Sequence, residues 1–186
     1  MGALLSLPTP RLILRDFEES DFDAVHRYGS DPEVARLVTW GPNHHRETRR
    51  FLRQAIAARG REPRKRYDFA IVLKPDGTLI GGCGIYVQPD GQGEIGYVVA
   101  REFWGRGYAT ETAYRLLAFG FRGLDLHRIY ATCDVENVAS WQVLEKLGMR
   151  REGHLREDRL QKGRWRDSYL YAILEREWKV LAALAT

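Results

Sequence analysis

A chain of 186 residues is long enough for one well-packed domain and short for two, so a single domain over residues 1–186 is expected. Its 44% hydrophobic and 29% charged residues describe a soluble globular protein, and no apolar run approaches bilayer-spanning length. The net charge of +4 suits an anionic ligand without demanding nucleic acid, and the start, MGALLSLPTPRL, lacks the basic region of a secretory signal.

In chain order, Arg11 to Arg15 alternates and reads as a first strand. Ser20-x-x-Asp23 reads as a capping box opening a helix, with Phe22, Val25, His26 and Gly29 along one face. Asp31-Pro32 interrupts it. Arg46 to Arg59 is a second amphipathic helix, with Phe51, Leu52, Ala55 and Ile56 on its apolar side. Asp68 to Lys74 and Leu79 to Val87 are strands joined by a Pro75-Asp76-Gly77 turn, and Pro89-Asp90-Gly91 is the next turn. Cys83 and Cys133 both fall in apolar strand-like runs, which fits buried thiols in a reducing cytoplasm better than disulfides or a metal site.

Glu94 to Ala100 is a strand with Ile95, Tyr97 and Val99 on one face. Gly105 and Gly107 follow, and a helix begins at Ala109. A helix N-terminus carries unpaired N–H groups and partial positive charge, so a glycine loop placed before one makes a phosphate site. Arg128 to Cys133 is another strand. Asn137 to Leu147 is a helix stopped by Gly148, and Arg166 to Leu174 is a last strand with a helical turn after Glu175. These elements predict an α/β (α+β) fold, a mixed, mostly antiparallel sheet of about seven strands with helices on both faces.

Taken alone, Gly105-x-Gly107 is equally well an ordinary strand-to-helix turn, and Asn137 an ordinary N-cap. Together, the blocks WGRGYATE (Trp104 to Glu111), ENVASWQVLEKLGM (Glu136 to Met149) and REGHLRE…KGRWRDSYLYAIL (Arg151 to Leu174) resemble the GNAT-type N-acetyltransferases, within them the RimJ/RimL-like branch. That branch includes ribosomal-protein N-terminal and spermidine acetyltransferases. The resemblance runs from about Arg11 to Trp178 and implies the GNAT fold, with acetyl-CoA as donor and no metal.

The family's pyrophosphate pattern, Arg/Gln-x-x-Gly-x-Gly/Ala, falls on Trp104, Gly105, Arg106, Gly107, Tyr108 and Ala109, with Trp in place of Arg or Gln. Backbone N–H groups do most of the binding in such a loop, and Arg101 and Arg106 are close enough in sequence to add charge. The resemblance lays the pantetheine arm along Tyr97, Val98 and Val99, and brings Asn137 and Ser140 to the arm and the departing sulfur.

Acetyl transfer needs a neutral amine, a donor for the oxyanion and a proton for the thiolate. A backbone N–H near Val98 or Val99 is the expected donor, freed by a bulge at Gly96. Glu94 matches the base of some relatives, and a solvent-facing carboxylate is the alternative. Ser140 is the candidate acid, because Leu144 stands where many relatives carry Tyr.

An α-amine of pKa about 7.8 is roughly a tenth neutral at pH 7, whereas a lysine-like amine is less than about a thousandth neutral. That difference, about 3.5 kcal/mol, favours a protein N-terminus or another amine of low pKa as acceptor. Asp16, Glu18, Glu19, Asp21, Asp23, Asp31 and Glu33 form an acidic cluster that would instead attract a polyamine or basic peptide. Trp40 and Tyr67 are candidates for the acceptor pocket or for the core, and His127 reads as structural. The alternatives are a small-amine acetyltransferase and a non-catalytic acyl-CoA sensor. The Arg-rich stretch from Arg46 to Arg66 is explained by an amphipathic helix without nucleic acid, and a homodimer remains compatible with the sequence.

Overall fold

A computed structural model describes residues 4–184. The first three residues of the N-terminal stretch and the last two of the expected domain lie outside the described residues. The elements are eight strands, β1 (Ser6–Pro8), β2 (Leu12–Asp16), β3 (Arg66–Leu73), β4 (Leu79–Gln88), β5 (Gln92–Val99), β6 (Arg128–Asp134), β7 (Arg150–Gln161) and β8 (Arg164–Leu174). The helices are α1 (Phe22–Gly29), α2 (Pro32–Ala35), α3 (His45–Ala58), α4 (Tyr108–Gly123), α5 (Val138–Lys146) and α6 (Glu175–Leu184).

All eight strands form one sheet in the order β1-β2-β3-β4-β5-β6-β8-β7. Every pairing is antiparallel except β5 with β6, which α4 connects as a crossover helix. Against an expectation of about seven strands, of which six are read along the chain, β1 and β7 are the two without a sequence signal, each for a physical reason. β1 is three residues long, too short for periodicity to register. β7 is almost wholly exposed, so its sequence carries no inside-outside alternation.

Helices cover both faces. On one, Ile85, Ile95 and Ile129 pack with Leu116 and Leu117 of α4. On the other, Ala70 and Val72 of β3 meet Val25 of α1 and Leu52 and Ala55 of α3. The capping box lies two residues earlier than expected, on Glu18 and Asp21, at the short 3-10 helix Glu19–Asp21 that leads into α1. The Asp21 carboxylate accepts the Glu18 N–H at 2.8 Å and is fixed by Arg15 at 2.7 Å, a partner Asp23 lacks. Gly148, at φ +76, ends the α5 segment as its position implies.

One departure from regular pairing creates the site. β5 stays paired with β4 from Gln92 to Val99, but with β6 only from Gln92 to Glu94. Beyond Glu94 the two strands diverge. The bulge expected at Gly96 is absent, since Gly96 pairs in register with Gly84; the shift lies between β3 and β4, at Ile71/Val72. Divergence from β6, not a bulge, opens the edge of β5.

Candidate active site

A cavity of about 430 Å³ passes through this opening. Glu94, Gly96, Tyr97, Val98, Asn137 and Ser140, all singled out in the sequence, line it together. The Ala100 N–H donates to Ile80 O at 2.7 Å, so even-numbered residues of β5 bond toward β4. Tyr97 and Val99 therefore turn their peptide groups toward the opening. The Trp104 Nε1–H donates to Val99 O at 2.7 Å, which leaves the Val99 N–H aimed into the gap. Of the two expected donors, Val98 bonds toward β4 and Val99 faces the opening.

Beyond the cavity, Trp104 to Ala109 forms a tight loop into α4. Gly105 takes φ +74, and Gly107, the residue capping α4, takes φ +77. The loop is strapped from a distance that sequence spacing does not reveal. The Glu111 carboxylate accepts Thr9 Oγ1 at 2.6 Å, Arg11 N at 2.8 Å and Arg11 Nε at 2.6 Å. Arg11 Nη1 then donates to Arg106 O at 3.0 Å, and its guanidinium lies 4.6 Å from the Tyr108 ring centre. Ala109 packs against the core, and Arg106 stacks over Phe103 with its head group exposed. Arg101 pairs with Asp31 at 3.2 Å.

At the start of α5, Asn137 Oδ1 accepts the Ser140 N–H at 3.2 Å, so Asn137 is an N-cap as well as a cavity wall. The Tyr97 hydroxyl donates to Ser140 O at 3.1 Å and lies 3.3 Å from Ser140 Oγ. Burial raises the Tyr97 pKa well above its ordinary value, so the phenol keeps its proton at neutral pH. Cys133, also in the wall, is pushed up to about 11 by burial, against a bond from Ser140. Leu144 is buried in the core and offers no acid.

The opposite mouth carries two buried carboxylates that sequence reading missed. Asp68 accepts Arg66 Nε at 2.5 Å and the Tyr86 hydroxyl at 3.0 Å. Asp134 accepts Arg166 Nε at 2.7 Å and Nη2 at 2.9 Å. The β7–β8 hairpin roofs this mouth: Gln161 Nε2 donates to Val38 O at 2.5 Å, and Lys162 Nζ to Ala35 O. Trp40 lines the mouth, whereas Tyr67 packs edge-on to Phe119 in the core. The His127 N–H donates to Gly91 O, a structural contact.

The sequence profile described as "Acetyltransferase (GNAT) domain" matches residues 11–150. The chain belongs to the GNAT acetyltransferases. Uncharacterized N-acetyltransferase YnaD of Bacillus subtilis is 36% identical over 175 residues, covering 94% of this chain and 99% of its own. RimL, described as a ribosomal L7/L12 alpha-N-protein acetyltransferase, shares the fold at 22% identity and TM-score 0.82, over 93% of this chain and 96% of that one. So does spermidine N-acetyltransferase from Vibrio cholerae, solved with CoA and spermine, at 24% identity and TM-score 0.79, over 91% and 98% of the chains.

This GNAT enzyme is an N-acetyltransferase with acetyl-CoA as co-substrate. Its residues fit that molecule: two left-handed glycines before a sixteen-residue helix, and a strand edge left open along Tyr97 and Val99. Among the described residues no helix is long and apolar enough to cross a membrane.

The acidic cluster of the N-acetyltransferase does not reach the mouth. Asp16 pairs with Arg64 at 2.6 Å, Asp21 with Arg15, Asp31 with Arg101 and Glu33 with Arg36 at 3.7 Å, and none of the cluster lines the cavity.

The strap makes a prediction of its own. Burial acts to raise the Glu111 pKa, but the bonds from Thr9 and Arg11 outweigh it and hold the carboxylate below its usual value. A depressed folded pKa stabilises above the unfolded value, about 4.3, and that stabilisation is lost as pH falls through the folded value. Glu111→Gln should therefore unfold more easily than the parent at pH 7, with the gap closing in acid, by urea titration at several pH values. The variant's acetyl-CoA KM at pH 7 should rise about tenfold as the loop loosens.

Proposed function

We propose that this N-acetyltransferase acts on the α-amine of a protein or peptide N-terminus. The charge balance of the mouth supports this most directly. Four carboxylates, Glu47, Asp68, Glu94 and Asp134, face four guanidinium groups, Arg50, Arg66, Arg159 and Arg166. Asp68 and Asp134 are tied to Arg66 and Arg166, and Glu47 is spent on the His44 N–H at 2.6 Å. Among the described residues, Glu94 is the one of the four without such a bond, enough for a single amine and poor for a polycation. An α-amine is also the acceptor that asks least of a base.

In this reading acetyl-CoA brings a thioester that a neutral amine attacks. Gly105 to Ala109 hold the pyrophosphate, and Tyr97 to Val99 the arm. Glu94 draws the proton from the amine, directly or through water, and the Val99 N–H steadies the carbonyl oxygen. The protonated Tyr97 hydroxyl, beside Ser140 Oγ, returns a proton toward the sulfur. A coenzyme A thiolate, with a pKa near that of cysteine at about 8.5, leaves readily, so the acid matters less than the base. The chain acts as one domain over residues 1–186, in a cytoplasm that keeps the buried thiols of Cys83 and Cys133 reduced.

A small amine is the second reading. The hairpin roof favours it, since a closed mouth suits a compact acceptor, and a fold relative was solved with spermine.

The test is coenzyme A release with short peptides bearing Ala, Ser or Met N-termini, their N-blocked forms, and spermidine. Turnover of free peptides alone supports the proposal, and turnover of spermidine alone overturns it. Binding of acetyl-CoA with no turnover would favour an acyl-CoA sensor. Glu94→Gln should lower kcat/KM about a hundredfold near neutral pH, with a smaller loss at higher pH, and Tyr97→Phe about tenfold.

A further inference from the structure

A second groove, of about 490 Å³, runs on from the acceptor mouth. α3 supplies Arg50, Arg53, Gln54, Ala57 and Ala58, spaced along one helical face, and the segment beyond it supplies Arg61, Lys65 and Arg66. Arg50, Gln54 and Arg66 line both the groove and the acceptor cavity, so the two are continuous.

Five cations and no carboxylate line the groove. Of the five, Arg66 is taken by Asp68, as the neighbouring Arg64 is by Asp16, which leaves four. Arg50, Arg53, Arg61 and Lys65 are exposed and, among the described residues, in no ion pair. A helix packed only to bury Leu52 and Ala55 has no need to gather unpaired like charges on one flank, where they repel one another. Ala57 and Ala58 keep the floor shallow enough for a main chain to lie against it.

From Arg50 to Ala58 the helix rises about 12 Å, the length of roughly four extended residues. We propose that the groove holds an acidic stretch of the acceptor polypeptide, a few residues beyond the N-terminus being acetylated. The inference rests on the peptide reading of the active site and names its substrate class: chains whose first residues enter the cavity and whose next several carry Asp or Glu. Continuity with the cavity favours this occupant over a nucleic acid, which has no reason to thread toward a thioester.

The experiment uses the full chain and peptides sharing one N-terminal dipeptide, followed by four Glu, four Gln or four Lys. Exposed ion pairs are individually weak, so several together are expected to raise kcat/KM for the Glu peptide about tenfold over the Gln peptide at low salt. The advantage should shrink as salt rises. In the double variant Arg53→Glu, Arg61→Glu the Glu-to-Gln ratio should fall to about one. Arg176→Glu, an exposed change on α6, should leave the ratio as in the parent.

Equal rates for the Glu and Gln peptides overturn the inference, as does a ratio that survives the double variant. A raised acetyl-CoA KM with an unchanged peptide ratio also overturns it, assigning the groove to the donor. Binding of the N-acetylated peptides with CoA present, read by fluorescence anisotropy, separates this failure from that of the peptide reading. If no peptide turns over but the acetylated Glu peptide still binds tighter than its Gln counterpart, and loses that margin in the double variant, the groove stands and the acceptor assignment falls. No difference in binding, or tighter binding of a random DNA duplex than of the Glu peptide, sinks the groove proposal.

Discussion

Gly107→Val should lose at least about a hundredfold in acetyl-CoA affinity, about 2.7 kcal/mol, while remaining folded. Gly107 caps α4 at φ +77, a conformation that a β-branched residue adopts only under strain. The protein itself does not block the added side chain. A Cβ there would meet only Arg11 Nη2, at 3.5 Å, an ordinary contact. The damage comes from the backbone instead. Relaxing φ rotates the first N–H groups of α4 away from the direction they share, and each charge-assisted bond lost from a phosphate costs about 1.5–3 kcal/mol. The strain, about 1–3 kcal/mol, should lower the melting temperature by several degrees and no more, since the position is exposed and nothing is overpacked. Calorimetry on the purified variant is the check, and near-normal affinity would remove the pyrophosphate from this loop.

Gly81→Ala should cost about 3 kcal/mol of stability, at the upper end for overpacking, and lower the urea midpoint by about 1–2 M. A Cβ at Gly81 would lie 2.1 Å from Val98 O and 3.0 Å from Val99 Cα, both backbone atoms of β5. No rotamer change relieves that clash; β5 must move. The same two residues border the opening, so activity measured well below the transition should fall as well. Gly96→Ala is the matched control for stability, since nothing lies within 4 Å of its added Cβ. An unchanged midpoint for Gly81→Ala would mean that β4 and β5 are less tightly apposed than their register implies.

Most of the elements we assign to the donor are legible in the sequence because their signals are local. The loop from Trp104 to Ala109, the N-cap at Asn137 and the stop at Gly148 each depend on neighbours a few residues away. What stayed hidden depends on distant pairing. The clasp of Arg11 on Glu111 joins residues one hundred apart, and the Tyr97 hydroxyl reaches Ser140 across forty-three. Asp68 looked like the polar start of a strand, and only the pairing of Asp68 with Gly84 brings it beside Tyr86. The expected bulge at Gly96 failed for a related reason. A glycine signals local freedom, whereas the open edge comes from β6 turning away beyond Glu94, which no feature of Gly96 encodes.

The latch of Gln161 and Lys162 on the carbonyls of Val38 and Ala35 divides the molecule's labour unevenly along the chain. The elements assigned to the donor come from one stretch, Glu94 to Ser140, strapped by Arg11. The segments latched over the mouth lie more than a hundred residues apart, and the hairpin begins at Arg150, where the profile match ends although the relatives align over most of the chain. The latch tips, at 35–38 and 161–162, can therefore vary together and alter what the mouth admits, whereas β8 cannot be exchanged wholesale, because its Arg166 holds Asp134 inside the donor stretch.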